Sequence, residues 1–142
     1  MGSQFFRASL NEANAIELTH LGFAVGKTPG YVEKLEPNHS HNLGATAFAP
    51  SSTETPYEVR TLDSMLGEQQ VDFIKIDVEG MEFDVLDGAA ATLARCRPIL
   101  FVEVRKRDLE RYYALVRSLN YRIERTFQRY IGVYNFLCVH GR

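Results

Sequence analysis

The chain has 142 residues, room for one domain with a real core but not for two. Hydrophobic residues at 45% and charged residues at 24% are ordinary globular composition and exclude a disordered chain. Sixteen Lys and Arg against eighteen Asp and Glu leave a formal net charge of -2, so nothing in the charge balance calls for nucleic acid or an anionic membrane as partner.

The chain opens with "MGSQFFRASLNEANA", which has no basic stretch leading into an apolar run and is read as carrying no secretory leader. Residues 15–25, "AIELTHLGFAV", are β-type, and "YVEKLE" (residues 31–36) alternates, with the turn-forming "GKTPG" between them. The pattern predicts a strand and then a hairpin. Residues 37–56 are polar and rich in Pro, Ser and Thr, and are expected to form a loop that is functional or mobile. "YEVRTLDSML" reads as a short strand running into a helical turn capped by Asp63 or Ser64.

From Val71 the pattern sharpens. Residues 73–78 are apolar on both faces, as in a central parallel strand. Met81, Val85, Leu86, Ala89, Ala90 and Leu93 recur at helical spacing, with Glu82 and Asp84 early and Arg95 late, as the helix dipole favours. Pro98 ends that helix, and "ILFVEV" (residues 99–104) is a second buried strand. Leu109, Tyr112, Tyr113, Val116 and Leu119 form the stripe of a second helix. "YRIERTF" and "YIGVYNFLCVH" follow as two strands close enough to be antiparallel. The sum is an α/β open sheet, mostly parallel, with one reversed strand near its edge. No apolar run approaches the ~20 residues of a membrane-spanning helix. Cys96 and Cys138 lack metal-type spacing and are read as reduced thiols of a cytoplasmic protein.

The stretch "FIKIDVEGMEF" carries the chemistry. Ligands of open parallel sheets bind beyond the carboxyl ends of the strands, where Asp77 and Glu79 stand, with Glu103 at the corresponding end of the next strand. Alternation puts Lys75, Asp77 and Glu79 on one face. Three carboxylates on one rim need a cation, a donor-rich ligand or a proton held by a raised pKa. Such a rim takes a proton from a hydroxyl, holds a hydroxyl, or binds a divalent cation such as Mg²⁺ for phosphoryl or hydrolytic chemistry. Structural roles compete with these: Glu79 as a cap for the helix after Gly80, Lys75 as an ion-pair partner of Asp77, and "RKR" (residues 105–107) as a solvated turn. His39 and His41 are a candidate base or metal ligands, or simply part of a loop. Asn42 and Gly44 permit tight turns.

"TLDSML", "VDFIKIDVEGMEFDVLDGAAATL" and "RPILFVEV" together resemble the C-terminal half of the FkbM-type methyltransferases, which are S-adenosylmethionine-dependent and mainly O-methylating. "GFAVGKTPGYVEKLEP…HNLGAT" and "YNFLCVH" extend the resemblance over almost the whole chain. It implies a Rossmann-like sheet of order 3-2-1-4-5-7-6, with S-adenosylmethionine as cofactor and a small-molecule or glycan hydroxyl as acceptor. Asp77 and Glu79 would lie by the methyl-transfer centre, Asp77 as first choice for the base and also against the cofactor, with His41 as second choice. Asn42 and Gly44 would belong to a loop over cofactor or acceptor, and Glu103 would contact the substrate. The family's glycine-rich "D-x-G-A-x-x-G" turn and its ribose-binding acid are not found in residues 1–142. The chain therefore resembles a single, partial methyltransferase domain without its first two strands. Three expectations follow: weak cofactor binding by the isolated chain, an exposed strand at residues 73–78, and a homo-oligomer paired through that edge. The alternative to an enzyme is a non-catalytic interaction or oligomerisation domain.

Overall fold

The computed structural model describes residues 22–35 and 48–141. Short strands build the first sheet: β1 (Ala24–Val25), β2 (Gly30–Lys34), β3 (Phe48–Ser51) and β4 (Tyr57–Arg60), in the order β1-β4-β2-β3. β1 runs parallel to β4, while β2 is antiparallel to β3 and β4. Of the strand predicted over 15–25, residues 15–21 lie outside the described residues, and its last two positions form β1. The loop predicted over 37–56 contains β3. An edge position explains why "FAPS" can pair at all, because Pro50 has no N–H to give the ladder and is tolerated only there. Thr55 Oγ1 donates to the Val32 carbonyl at 2.6 Å and ties the returning chain to β2.

The second sheet holds β5 (Phe73–Ile76), β6 (Ile99–Arg105), β7 (Tyr121–Tyr130) and β8 (Val133–His140), in the order β5-β6-β8-β7. β5 and β6 are parallel, and β8 runs antiparallel between β6 and β7. That is the 4-5-7-6 half of the expected order, with its reversed strand in place. The expectation of one mostly parallel sheet is corrected. Among the described strands there are two mixed sheets, and only β1–β4 and β5–β6 are parallel neighbours. The β7–β8 pair is a tight hairpin, which forces antiparallel pairing, and β8 so reversed also runs antiparallel to β6. The β7–β8 turn falls at Ile131 and Gly132, later than the pattern predicts, where Gly132 supplies a φ of 81°.

Four α-helices are described: α1 (Leu62–Leu66), α2 (Glu82–Asp87), α3 (Ala90–Cys96) and α4 (Leu109–Ser118), with a 3-10 turn at Lys106–Asp108. The cap of α1 is Thr61, whose Oγ1 accepts from the Ser64 N–H at 3.0 Å, and not Asp63 or Ser64. The single helix predicted over residues 81–93 is two helices, broken at Gly88. A Cβ on Gly88 would collide with the backbone oxygen of Gly26, so β1's exit and the α2 terminus meet backbone to backbone. The Gly88 carbonyl accepts from the Asp63 N–H at 3.0 Å. The Asp63 carboxylate in turn accepts from Ala91 and Thr92, at 2.9 and 2.8 Å, and so caps α3.

The main core lies between α2, α3, α4 and one face of the second sheet. Phe83, Leu86, Leu93, Tyr112 and Val116 pack there on Leu100, Val102, Val104, Phe136 and Cys138. Tyr112 stacks on Phe136 at 5.0 Å, and its hydroxyl lies 3.3 Å from Cys138 Sγ. Among the described residues no helix is long and apolar enough to cross a membrane.

Candidate functional site

β5 ends at Ile76, so Asp77 and Val78 are already outside the ladder. The chain turns through Glu79 and Gly80, at φ 52° and 108°, before entering α2. The turn's Gly80 N–H goes to the carboxylate of buried Glu82, at 2.7 Å, and not to Glu79. Glu79 is therefore not the helix cap that the sequence allowed. Its Oε2 accepts from Arg105 Nη2 at 2.7 Å, and the same nitrogen lies 3.5 Å from the Glu79 carbonyl. Arg105 ends β6 and is half-buried, which corrects the reading of "RKR" as wholly solvated.

Asp77 is exposed and pairs with Lys75 Nζ at 3.0 Å. The strand expected over residues 73–78 therefore stops short of Asp77, which is not enclosed in the sheet. β5 itself is not apolar on both faces of a packed sheet: Phe73 is 53% exposed, and Lys75 is exposed beside it. Glu103 is the more enclosed acid. It sits opposite Asn135 in the β6–β8 register, and the buried Asn135 donates Nδ2 to its Oε2 at 3.4 Å. Burial pushes the Glu103 carboxyl above its ordinary range, and the charges of Asp77, Glu79 and Glu82 push the same way, against the Asn135 amide.

Carboxylate oxygens of Asp77, Glu79 and Glu103 all lie within 4.8 Å of one another, so the three acids do converge. Lys75 and Arg105 each satisfy one of them, which removes much of the electrostatic need for a divalent cation. Beside the acids opens a cleft of about 310 Å³ walled by Phe23, Val25, Phe48 and Met81, with Asp77 and Glu79 at its rim. A second cleft of about 360 Å³ runs between Lys27, Tyr31, Val59 and Asp84 and holds none of these three acids. Its ion pair, Lys27 to Asp87 at 3.1 Å, is exposed and structural in kind. His39, His41, Asn42 and Gly44 lie outside the described residues.

Sequence reasoning missed Arg105, Asn135 and the aromatic walls. Arg105 was legible in principle, since Glu103 and Arg105 are two apart on a strand and share a face. Asn135 and Phe48 come from β8 and β3, and only pairing across the sheets brings them near the rim. Compared with known proteins, residues 5–123 match the family model described as the Methyltransferase FkbM domain. No curated protein and no solved structure matches the chain.

Proposed function

This chain belongs to the FkbM methyltransferase domain family, and on that premise we propose that it takes part in S-adenosylmethionine-dependent methyl transfer to a hydroxyl oxygen of a small molecule or saccharide. The observation that carries the reading is an aromatic-walled cleft lined by Asp77 and Glu79, whose carboxylates converge with that of Glu103. The residues suit the cofactor's chemistry. Phe48, Met81 and the ring face of Phe23 away from the Arg60 guanidinium, which lies 3.5 Å from its centroid, offer apolar surface to an adenine ring. The carboxylates offer acceptors to ribose hydroxyls and a counter-charge to a sulfonium. The cofactor, when bound, supplies an electrophilic methyl group.

The chain's own task is to hold the acceptor oxygen in line and to receive its proton. Glu103 is the group suited to receive it. It is half-buried, it is held by Asn135 through one oxygen, and burial, with the neighbouring carboxylates, raises its carboxyl above the ordinary range. Asp77, exposed and paired with Lys75, orients the acceptor hydroxyl as a hydrogen-bond acceptor. Glu79, clamped by Arg105, shapes the rim. His41 as an alternative base, and Asn42 and Gly44 as a covering loop, rest on the resemblance alone.

The test is a calorimetric titration with S-adenosylmethionine and its demethylated product, carried to millimolar concentration so that weak binding registers. It is paired with transfer of a labelled methyl group to pools of small hydroxyl compounds and oligosaccharides. Glu103→Gln is expected to keep the binding heat and to cut transfer by ~10²–10⁴-fold, the usual loss for a missing general base. Absence of saturable heat from either compound would overturn the cofactor assignment.

A further inference from the structure

Among the described residues, the helices α2, α3 and α4 cover one face of the β5-β6-β8-β7 sheet and none covers the other. On the other face, register and alternation set Phe73 beside Ile99, Phe101 beside Leu137, and Phe127 beside Asn135. Phe73, Ile99 and Phe127 are 53%, 42% and 45% exposed. Phe101 and Phe127 contact each other across the sheet at 6.0 Å, and neither belongs to the core on the helix side. This apolar band is bounded by charge of opposite sign. Asp77, paired with the exposed Lys75 that lies beside Phe101, and Glu103 stand at one corner. Arg122, paired with Glu124 at 3.3 Å, and the exposed Arg125 stand on the β7 edge.

From this layout we infer that the uncovered face is a self-complementary interface for a second copy of the chain. In a two-fold pairing each copy's acidic corner meets the other's arginine edge, twice over, with the aromatic bands packed between. A formal net charge of -2 sets little long-range repulsion against it. The edge of β5, unpaired among the described strands, is the weaker surface. It is four residues long, and Lys75 with Asp77 supply the charges that blunt such edges. Strand spacing and rise give the face an area of about 400 Å², roughly half of the ~800 Å² per partner in a standard stable interface. The dimer is therefore a weak one that forms and dissociates with concentration. This inference is independent of methyl transfer.

Sedimentation equilibrium from micromolar to millimolar chain is the test. The mass is expected to climb from 16.1 kDa toward twice that value, with weaker association at high salt. The double substitution Phe73→Ser, Phe127→Ser is expected to weaken association at least tenfold. Arg125→Glu, at an exposed position that leaves the core untouched, should weaken it as well. A 16.1 kDa species at every concentration would overturn the inference. If that monomer also shields a Phe73→Cys thiol from alkylation, the face is covered by the same chain. Association untouched by both variants would move the interface elsewhere and equally overturn it.

Discussion

At Glu79 a non-glycine residue holds φ at 52°, a conformation that costs L-residues roughly 1–2 kcal/mol. Arg105 grips the carboxylate, and Gly80 completes the turn at φ 108°. An alanine at position 80 would find no steric obstacle nearer than Arg105 Nη1 at 3.9 Å, so its cost is purely conformational. Gly80→Ala is expected to lose about 1–2 kcal/mol in urea denaturation, whereas Glu79→Gly should be close to neutral, relief of strain offsetting loss of a half-exposed ion pair. Equal losses in the two variants would show that the turn is not strained where the dihedrals place it. Glu103 adds a pH signature. Its folded pKa lies above the ordinary 4.5, so the folded state binds its proton more tightly than the unfolded state does. Its contribution is thus full below about 4.5 and is lost as pH rises through the folded value. Glu103→Gln is expected to raise the melting temperature near neutrality and to flatten that decline. A variant that melts lower than the parent at pH 7 would contradict the desolvated, crowded carboxyl described here.

Elements show where local pattern ends and tertiary geometry begins. The apolar stripe from Met81 to Leu93 reads as one helix because its period runs unbroken through Gly88, and no neighbour in sequence says otherwise. What breaks it is the distant backbone of Gly26, so Gly88→Ala is expected to cost more than ~3 kcal/mol, or to prevent folding, through collision and not through propensity. Asp63 was legible as a cap but not as a cap for α3, whose first turn reaches it only after the chain has passed through β5 and α2. Burial pushes the Asp63 carboxyl up, but the N–H groups of Thr92 and Ala91 outweigh it and leave the pKa below the ordinary 3.8. A depressed carboxyl stabilises above its unfolded value, and that stabilisation fades as pH falls through the folded one. Asp63→Ala should therefore cost about 1 kcal/mol at neutral pH. Most of the difference should vanish in acid, below about 3.8. A pH-independent loss in thermal melts would mean that the cap works by packing alone.

At the scale of the whole molecule, most of the second sheet was legible, whereas of the first sheet β2 and β4 were read as strands but their pairing was not. β5 and β6 are successive strands joined through helices and pair in parallel, and the tight β7–β8 turn makes an antiparallel pair, so local rules recover these two pairings. The insertion of β8 between β6 and β7 is what the family resemblance implied. The first sheet pairs two- to five-residue strands out of sequence order, and its edge strand contains a proline. The same contrast governs stability. Among the described residues, fourteen buried apolar residues form the core around the second sheet, while the first sheet's own strands bury Val32 and Val59, with Val25 lending a partial contact to the main core. Local opening follows the density of buried apolar contacts, so β1 to β4 should open without the rest. Native-state hydrogen exchange is expected to show β6, β8 and α4 exchanging only with global unfolding, and β2, β3 and β4 exchanging faster by a sub-global route. The thiols give a second readout. Cys138 is fully buried, and burial raises its pKa, so it should react with an alkylating reagent at the rate of global opening. The partly exposed Cys96 should react at once. If the strands of both sheets exchange with one common free energy, matched by the alkylation of Cys138, the two sheets form a single cooperative unit and the division drawn from their cores is wrong.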